Sequence, residues 1–172
     1  MRIRTLIVAS SSLALLACGG GDGLDNASDA FKASIQASCE KAFDCMASYD
    51  ASMNNDTPFA QAYGTSVSDC VSQTTELIMA FLGADYFAKL DASVAAGRVT
   101  YDAGDAQACL DASSGQTCDQ FFGQNGAVYT PPAVCDTALR GTVATGGTCT
   151  IENDCAVSAD TCDDTTMTCT AG

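Results

Sequence analysis

Eleven cysteines in 172 residues constrain this chain more than any other feature, and their placement separates one from ten. Cys18 closes a short apolar leader. Cys39, Cys45, Cys70, Cys109, Cys118, Cys135, Cys149, Cys155, Cys162 and Cys169 follow. An even set of ten suits five disulfides, an oxidising compartment and a small, cross-linked fold. With Cys18 included the count is odd and one thiol is orphaned, so another use for Cys18 is expected. The sequence contains no Cys-x-x-Cys pair, so neither a thioredoxin-like redox site nor a zinc ribbon is indicated. Ten cysteines allow about 945 complete pairings, and spacing alone selects none of them.

The leader has the layout of a secretory signal. Arg2 and Arg4 give a positive start, and Thr5 to Ala17 form an apolar or small-residue stretch. At about 1.5 Å per residue that stretch covers ~20 Å, short of a hydrocarbon core of ~30 Å. A permanent transmembrane helix is therefore disfavoured. The segment ends Leu15-Leu16-Ala17-Cys18, which resembles the lipobox of bacterial lipoproteins, although Leu16 is larger than the residue usual at its position. The resemblance implies cleavage after residue 17 and lipidation of Cys18. Two or three acyl chains anchor stably where one does not. Gly19-Gly20-Gly21-Asp22-Gly23 then reads as a flexible tether. Gly19 after the lipidated cysteine implies, by resemblance to Gram-negative lipoproteins, a place in the outer membrane.

Composition narrows the chemistry. Without Arg2 and Arg4, the 21 acidic side chains face five basic ones, a net charge of −16. Nucleic-acid binding is built from phosphate contacts by Lys and Arg, so no nucleic-acid partner is expected, and anionic headgroups are disfavoured for the same reason. The chain has no histidine, which excludes Ser-His-Asp and Cys-His catalysis and His-ligated zinc. No cofactor and no metal site is indicated.

The remaining chain divides into a tether (18–27), a helical domain (28–122), a Gly/Pro linker (123–134) and a cysteine-rich module (135–172). Ser28 is a plausible N-cap for a helix reaching about Tyr49. Phe31, Ile35, Cys39, Ala42, Phe43 and Met46 recur at three and four and form one apolar stripe. Cys45 lies about 9 Å along the axis from Cys39 and is rotated away from it, so these two cannot pair while helical. Thr57-Pro58 can restart a short turn. A second long helix from Ser66 to Leu82 carries Val67, Cys70, Thr74, Leu77, Ile78 and Phe81, with Ser66 and Asp69 in capping positions. Asp85 opens a third helix that Gly97 stops, Arg98 to Tyr101 is extended, and Asp102 with Asp105 opens a fourth. Cys118 to Phe122 adds a turn. The fold class is thus mainly α, a disulfide-stapled bundle of about four helices followed by a loop-rich tail with little regular structure. Five cysteines in that tail is an odd number, so at least one bond should tie it to the helices.

The run Gly147-Thr148-Cys149 through Asp154-Cys155 to Cys162 resembles the Cys-x5-Cys-x6-Cys of small secreted Dickkopf-like or EGF-like modules. Together with a Cys-x5-Cys helix (Cys39, Cys45) and a Tyr101-Asp102…Ala108-Cys109-Leu110 helix, it is similar to cysteine-rich lipoproteins of the myxobacterial type. Ala156-Val157-Ser158-Ala159 departs from that pattern where a glycine turn is usual. The resemblance implies an architecture and carries no reaction. The expected function is a non-enzymatic, lipid-anchored envelope module that binds an unidentified protein or envelope partner. Two alternatives are calcium-dependent binding through Asp160, Asp163 and Asp164 or Asp22 and Asp25, and, less favoured, carboxylate hydrolysis involving Glu40, Glu76 or Glu152.

Overall fold

The computed structural model describes residues 24–54, 56–127 and 129–172. The leader, Cys18 and the tether up to Gly23 lie outside the described residues. The described chain is mostly helical, is cross-linked by five disulfides and has little sheet.

Four helices are long: α1 Ala27–Asp44, α3 Val67–Leu82, α4 Tyr86–Ala95 and α5 Ala103–Ser114. Three are about one turn each: α2 Phe59–Tyr63, α6 Cys118–Phe122 and α7 Cys135–Ala138. Local chemistry accounts for their starts. Ser66 accepts from the Asp69 amide and Asp102 from the Asp105 amide, each satisfying one free N–H of the first turn. The start of α1 corrects the sequence expectation. Asn26, not Ser28, is the cap, accepting from the Asp29 amide, while the buried Ser28 hydroxyl donates to Asn26 Oδ1. The folded part accordingly begins within the expected tether: Leu24 is buried beside Ala106 and Ala138, and the Tyr101 hydroxyl donates to its carbonyl at 2.6 Å. The far end is corrected too. α1 stops at Asp44, not near Tyr49, where Cys45 turns to bond Cys118 and a 3-10 turn follows.

The Cys39–Cys70 disulfide pins α1 to α3. On the buried stripe of α1, Ile35, Cys39 and Ala42 are almost inaccessible. Phe31 meets Tyr86 and Phe87 edge-on, which joins α4 to the same core around the fully buried Leu90. A second aromatic cluster, Phe43, Tyr49, Phe59, Tyr63 and Phe122, gathers where Cys45–Cys118 closes a separation of 73 residues.

The C-terminal segment is joined to the helices at several points. Cys109–Cys135 links α5 to α7. β1 (Val99–Tyr101) pairs antiparallel with β2 (Leu139–Gly141), Val99 opposite Gly141. Ile151 enters the core beside Ala27, Tyr86 and Leu90. Beyond these, Cys149–Cys162 and Cys155–Cys169 interleave around a sulfur-lined core against which Val143 packs. A hairpin of β3 (Thr161–Asp163) and β4 (Thr168–Thr170) completes the segment. Regular structure in this segment is limited to α7, a 3-10 turn and three-residue strands, and β1 falls in the stretch that the sequence marks as extended.

Gly141 lies where a methyl group cannot be placed: a Cβ there would sit 2.1 Å from the Cys155 carbonyl oxygen. The three nearest atoms, Cys155 O, Cys155 C and Asp154 O, are all backbone and cannot rotate aside. Gly141→Ala is expected to destabilise the protein by about 1–3 kcal/mol, as overpacking typically does. Urea denaturation of the oxidised protein checks this, and an unchanged midpoint would show that β2 and the Cys155 loop are not tightly apposed.

Candidate functional site

An open cleft of about 890 Å³ lies between α7 with β2 on one side and residues 152–160 on the other. Its walls carry three carboxylates, Asp136, Glu152 and Asp160, together with Arg140 and Asn153. A smaller apolar groove of about 370 Å³ runs between α1 and α3 past Phe31, Ile35, Tyr63 and Ile78.

One wall of the cleft is held by a buried polar knot. Asp154 is fully buried, and its Oδ2 accepts from the Arg98 Nε at 3.0 Å, the Thr150 amide at 2.7 Å and the Thr150 hydroxyl at 3.0 Å. Arg98 Nη2 also donates to the buried Ser93 hydroxyl at 3.1 Å and to Thr150 Oγ1 at 3.0 Å. Three elements meet here: α4 through Ser93, the turn into β1 through Arg98, and the 3-10 turn Glu152–Asp154. Burial alone would raise the Asp154 pKa. The hydroxyls of Ser93 and Thr150, the Thr150 amide and the Arg98 guanidinium outweigh it and hold the carboxyl below the ordinary value. Asp154 Oδ1 has no hydrogen-bond partner among the described residues. The cleft rim is fixed by Tyr86, whose hydroxyl donates to Asn153 Oδ1 at 2.8 Å. Burial, and then the Glu152 carboxylate, push that phenol up to about 12, so it remains a donor.

The residues singled out from sequence are dispersed. All ten cysteines beyond Cys18 are in disulfides; Cys18 and Asp22 lie outside the described residues. Asp160 lines the cleft and accepts from the Thr145 hydroxyl at 2.6 Å, while Asp163 Oδ1 accepts from the amides of Thr165 and Thr166 at the head of the β3–β4 turn. Asp25 and Asp164 are exposed. Among the described residues, the group with metal-ligand proximity is Cys149, Cys155 and Cys169, and every one of those sulfurs is in a disulfide. Glu40 accepts from Gln36 and Glu76 from Ser72 on helix surfaces; Glu152 alone of the three glutamates reaches the cleft. Sequence reading missed Arg98 and Asp154, which stand 56 residues apart and follow no local motif. The available hint was the scarcity of basic residues, which makes each one worth tracing.

No protein-family model matches the chain, and neither a curated protein nor a solved structure matches it. The class defined by the coordinates is therefore structural: a mostly helical, disulfide-rich fold.

Removing one partner of a buried ion pair typically costs about 3–5 kcal/mol, and Asp154→Asn is expected to fall near that range. Because the folded pKa is depressed, the contribution of ionised Asp154 is complete above the unfolded value of about 3.9. It is lost as pH falls through the folded value. The stability gap between wild type and Asp154→Asn, measured by urea unfolding, should be level from pH 7 to 5 and narrow below about pH 4. A gap that widens in acid would contradict the assignment.

Proposed function

We propose that this chain is a lipid-anchored, extracytoplasmic module of the bacterial envelope, held at the outer membrane through Cys18 and acting by binding or structural contact. The observation that carries the reading is sulfur arithmetic. Eleven cysteines are present and ten are consumed in five internal disulfides, so Cys18 has no partner left within the chain. A single remaining thiol at the end of a secretory-type leader suits lipidation. Disulfide density of this kind favours an oxidising compartment over the cytosol.

Further support comes from size. Among the described residues no helix is long and apolar enough to cross a membrane, so attachment by acyl chains does not compete with a spanning helix there. The rigid, acidic body then offers the mixed-charge cleft of Asp136, Arg140, Glu152 and Asp160 as its recognition surface.

Expression of the full chain in a Gram-negative host fed radiolabelled palmitate tests the reading. Wild type should carry label and fractionate with the outer membrane, whereas Cys18→Ala should lose the label and leave the membrane fraction. An unlabelled wild type, or a Cys18→Ala form that fractionates identically, would overturn it.

A further inference from the structure

The last turns of α3 carry apolar side chains that the fold does not cover. Phe81 is 80% exposed, Leu77 57% and Leu82 40%. Leu77 and Phe81 are four apart and share a face, with Leu82 beside them. The same stripe is covered nearer the helix start, at Cys70.

The position of this patch follows from how α1 and α3 pack. Cys39 bonds Cys70, and Phe31 and Ile78 pack in the same clusters. A step back along α1 is therefore a step forward along α3, and the two helices run antiparallel. The end of α3 at Leu82 thus lies beside the start of α1 at Ala27. Three residues before Ala27 is Leu24, fixed in the core, which is where the chain from Cys18 enters the body. Six residue steps separate Cys18 from Leu24, a reach of at most about 22 Å.

From these positions we infer that the exposed end of α3 — Leu77, Phe81 and Leu82 — rests in the headgroup interface of the bilayer that holds the lipid on Cys18. The inference rests on the anchoring proposed above. Geometry selects the occupant: a tether this short keeps the α1 entry end close to the lipid surface, and the uncovered apolar patch is at that end. Charge selects the lipid. Lys32 pairs with Asp29 at 3.1 Å and Lys89 with Asp85 at 3.2 Å near the same end, leaving no free cationic cluster for anionic headgroups among the described residues there. The contact is an apolar one with zwitterionic lipid, and it fixes which face of the body points away from the membrane.

The chain has no tryptophan, so a single introduced indole reports its own depth. The lipidated full chain carrying Phe81→Trp is reconstituted into phosphatidylcholine vesicles containing acyl-brominated phosphatidylcholine. A second preparation carries Met53→Trp, an exposed position beyond the opposite end of α1. Interfacial apolar faces sit about 5–10 Å into the headgroup–acyl boundary, so the indole at 81 should lose emission about two-fold while that at 53 is unchanged. Vesicle-bound protein with equal, unquenched emission at both sites would overturn the inference and leave the anchoring intact. Protein that carries no acyl mass and does not float with vesicles would overturn both. A lipid-independent blue shift at 81 with sedimentation as a dimer would assign the patch to a second copy and also overturn the inference.

Discussion

Covalent sulfur closure is the constraint on which this fold depends. The buried apolar set is small and divided among several clusters, with alanines and cysteines filling many of its places. A core of that size is marginal against chain entropy. Disulfides act on the other side of the balance by restricting the unfolded chain, at about 2–4 kcal/mol each. The widest, Cys45–Cys118, closes the longest loop and holds the aromatic cluster of Tyr49, Phe59 and Phe122 together. The two interleaved bonds near the C-terminus build a core largely out of sulfur, where few aliphatic side chains are present to do it.

A second, non-covalent constraint aligns the parts. Cys109–Cys135 tethers the C-terminal segment, but one bond leaves rotation free. The Arg98–Asp154 knot, the β1–β2 ladder and the seating of Ile151 beside Leu90 fix the angle. In a strongly acidic chain, committing one of few cations to a buried carboxylate suits a positional role better than a solubility role. Asn153, held by Tyr86, and Gly141, packed on Cys155, are fixed parts of the cleft wall, and the loop through Ala156, Val157 and Ser158 also lines it.

Helix chemistry was largely legible in the sequence. Ser66 and Asp102 cap the helices they were expected to cap, and the stripe through Phe31, Ile35 and Cys39 faces inward. Periodicity tells which side of a helix is apolar but not how far its partner extends. For that reason Leu77 and Phe81, spaced with Cys70 and Thr74 along one side of the helix, emerge exposed. The parity of the cysteines was readable and their partners were not, because pairing depends on which helices lie antiparallel. Ile151 is similarly opaque: a lone aliphatic in a polar tail carries no period, yet it fills the space beside Leu90. The cleft was opaque as well: its walls, residues 135–141 and 152–160, are neighbours in a polar stretch whose folding back on itself follows no periodic pattern.

The account joins place to structure through one claim, that ten sulfurs satisfy one another and Cys18 stands outside them. Proteolysis of unreduced, thiol-blocked protein extracted from membranes, with mass mapping of the linked peptides, tests it most directly. The expected links are Cys39–Cys70, Cys45–Cys118, Cys109–Cys135, Cys149–Cys162 and Cys155–Cys169, with Cys18 in none of them. A disulfide containing Cys18, or a blocked free thiol among the other ten, would contradict the account.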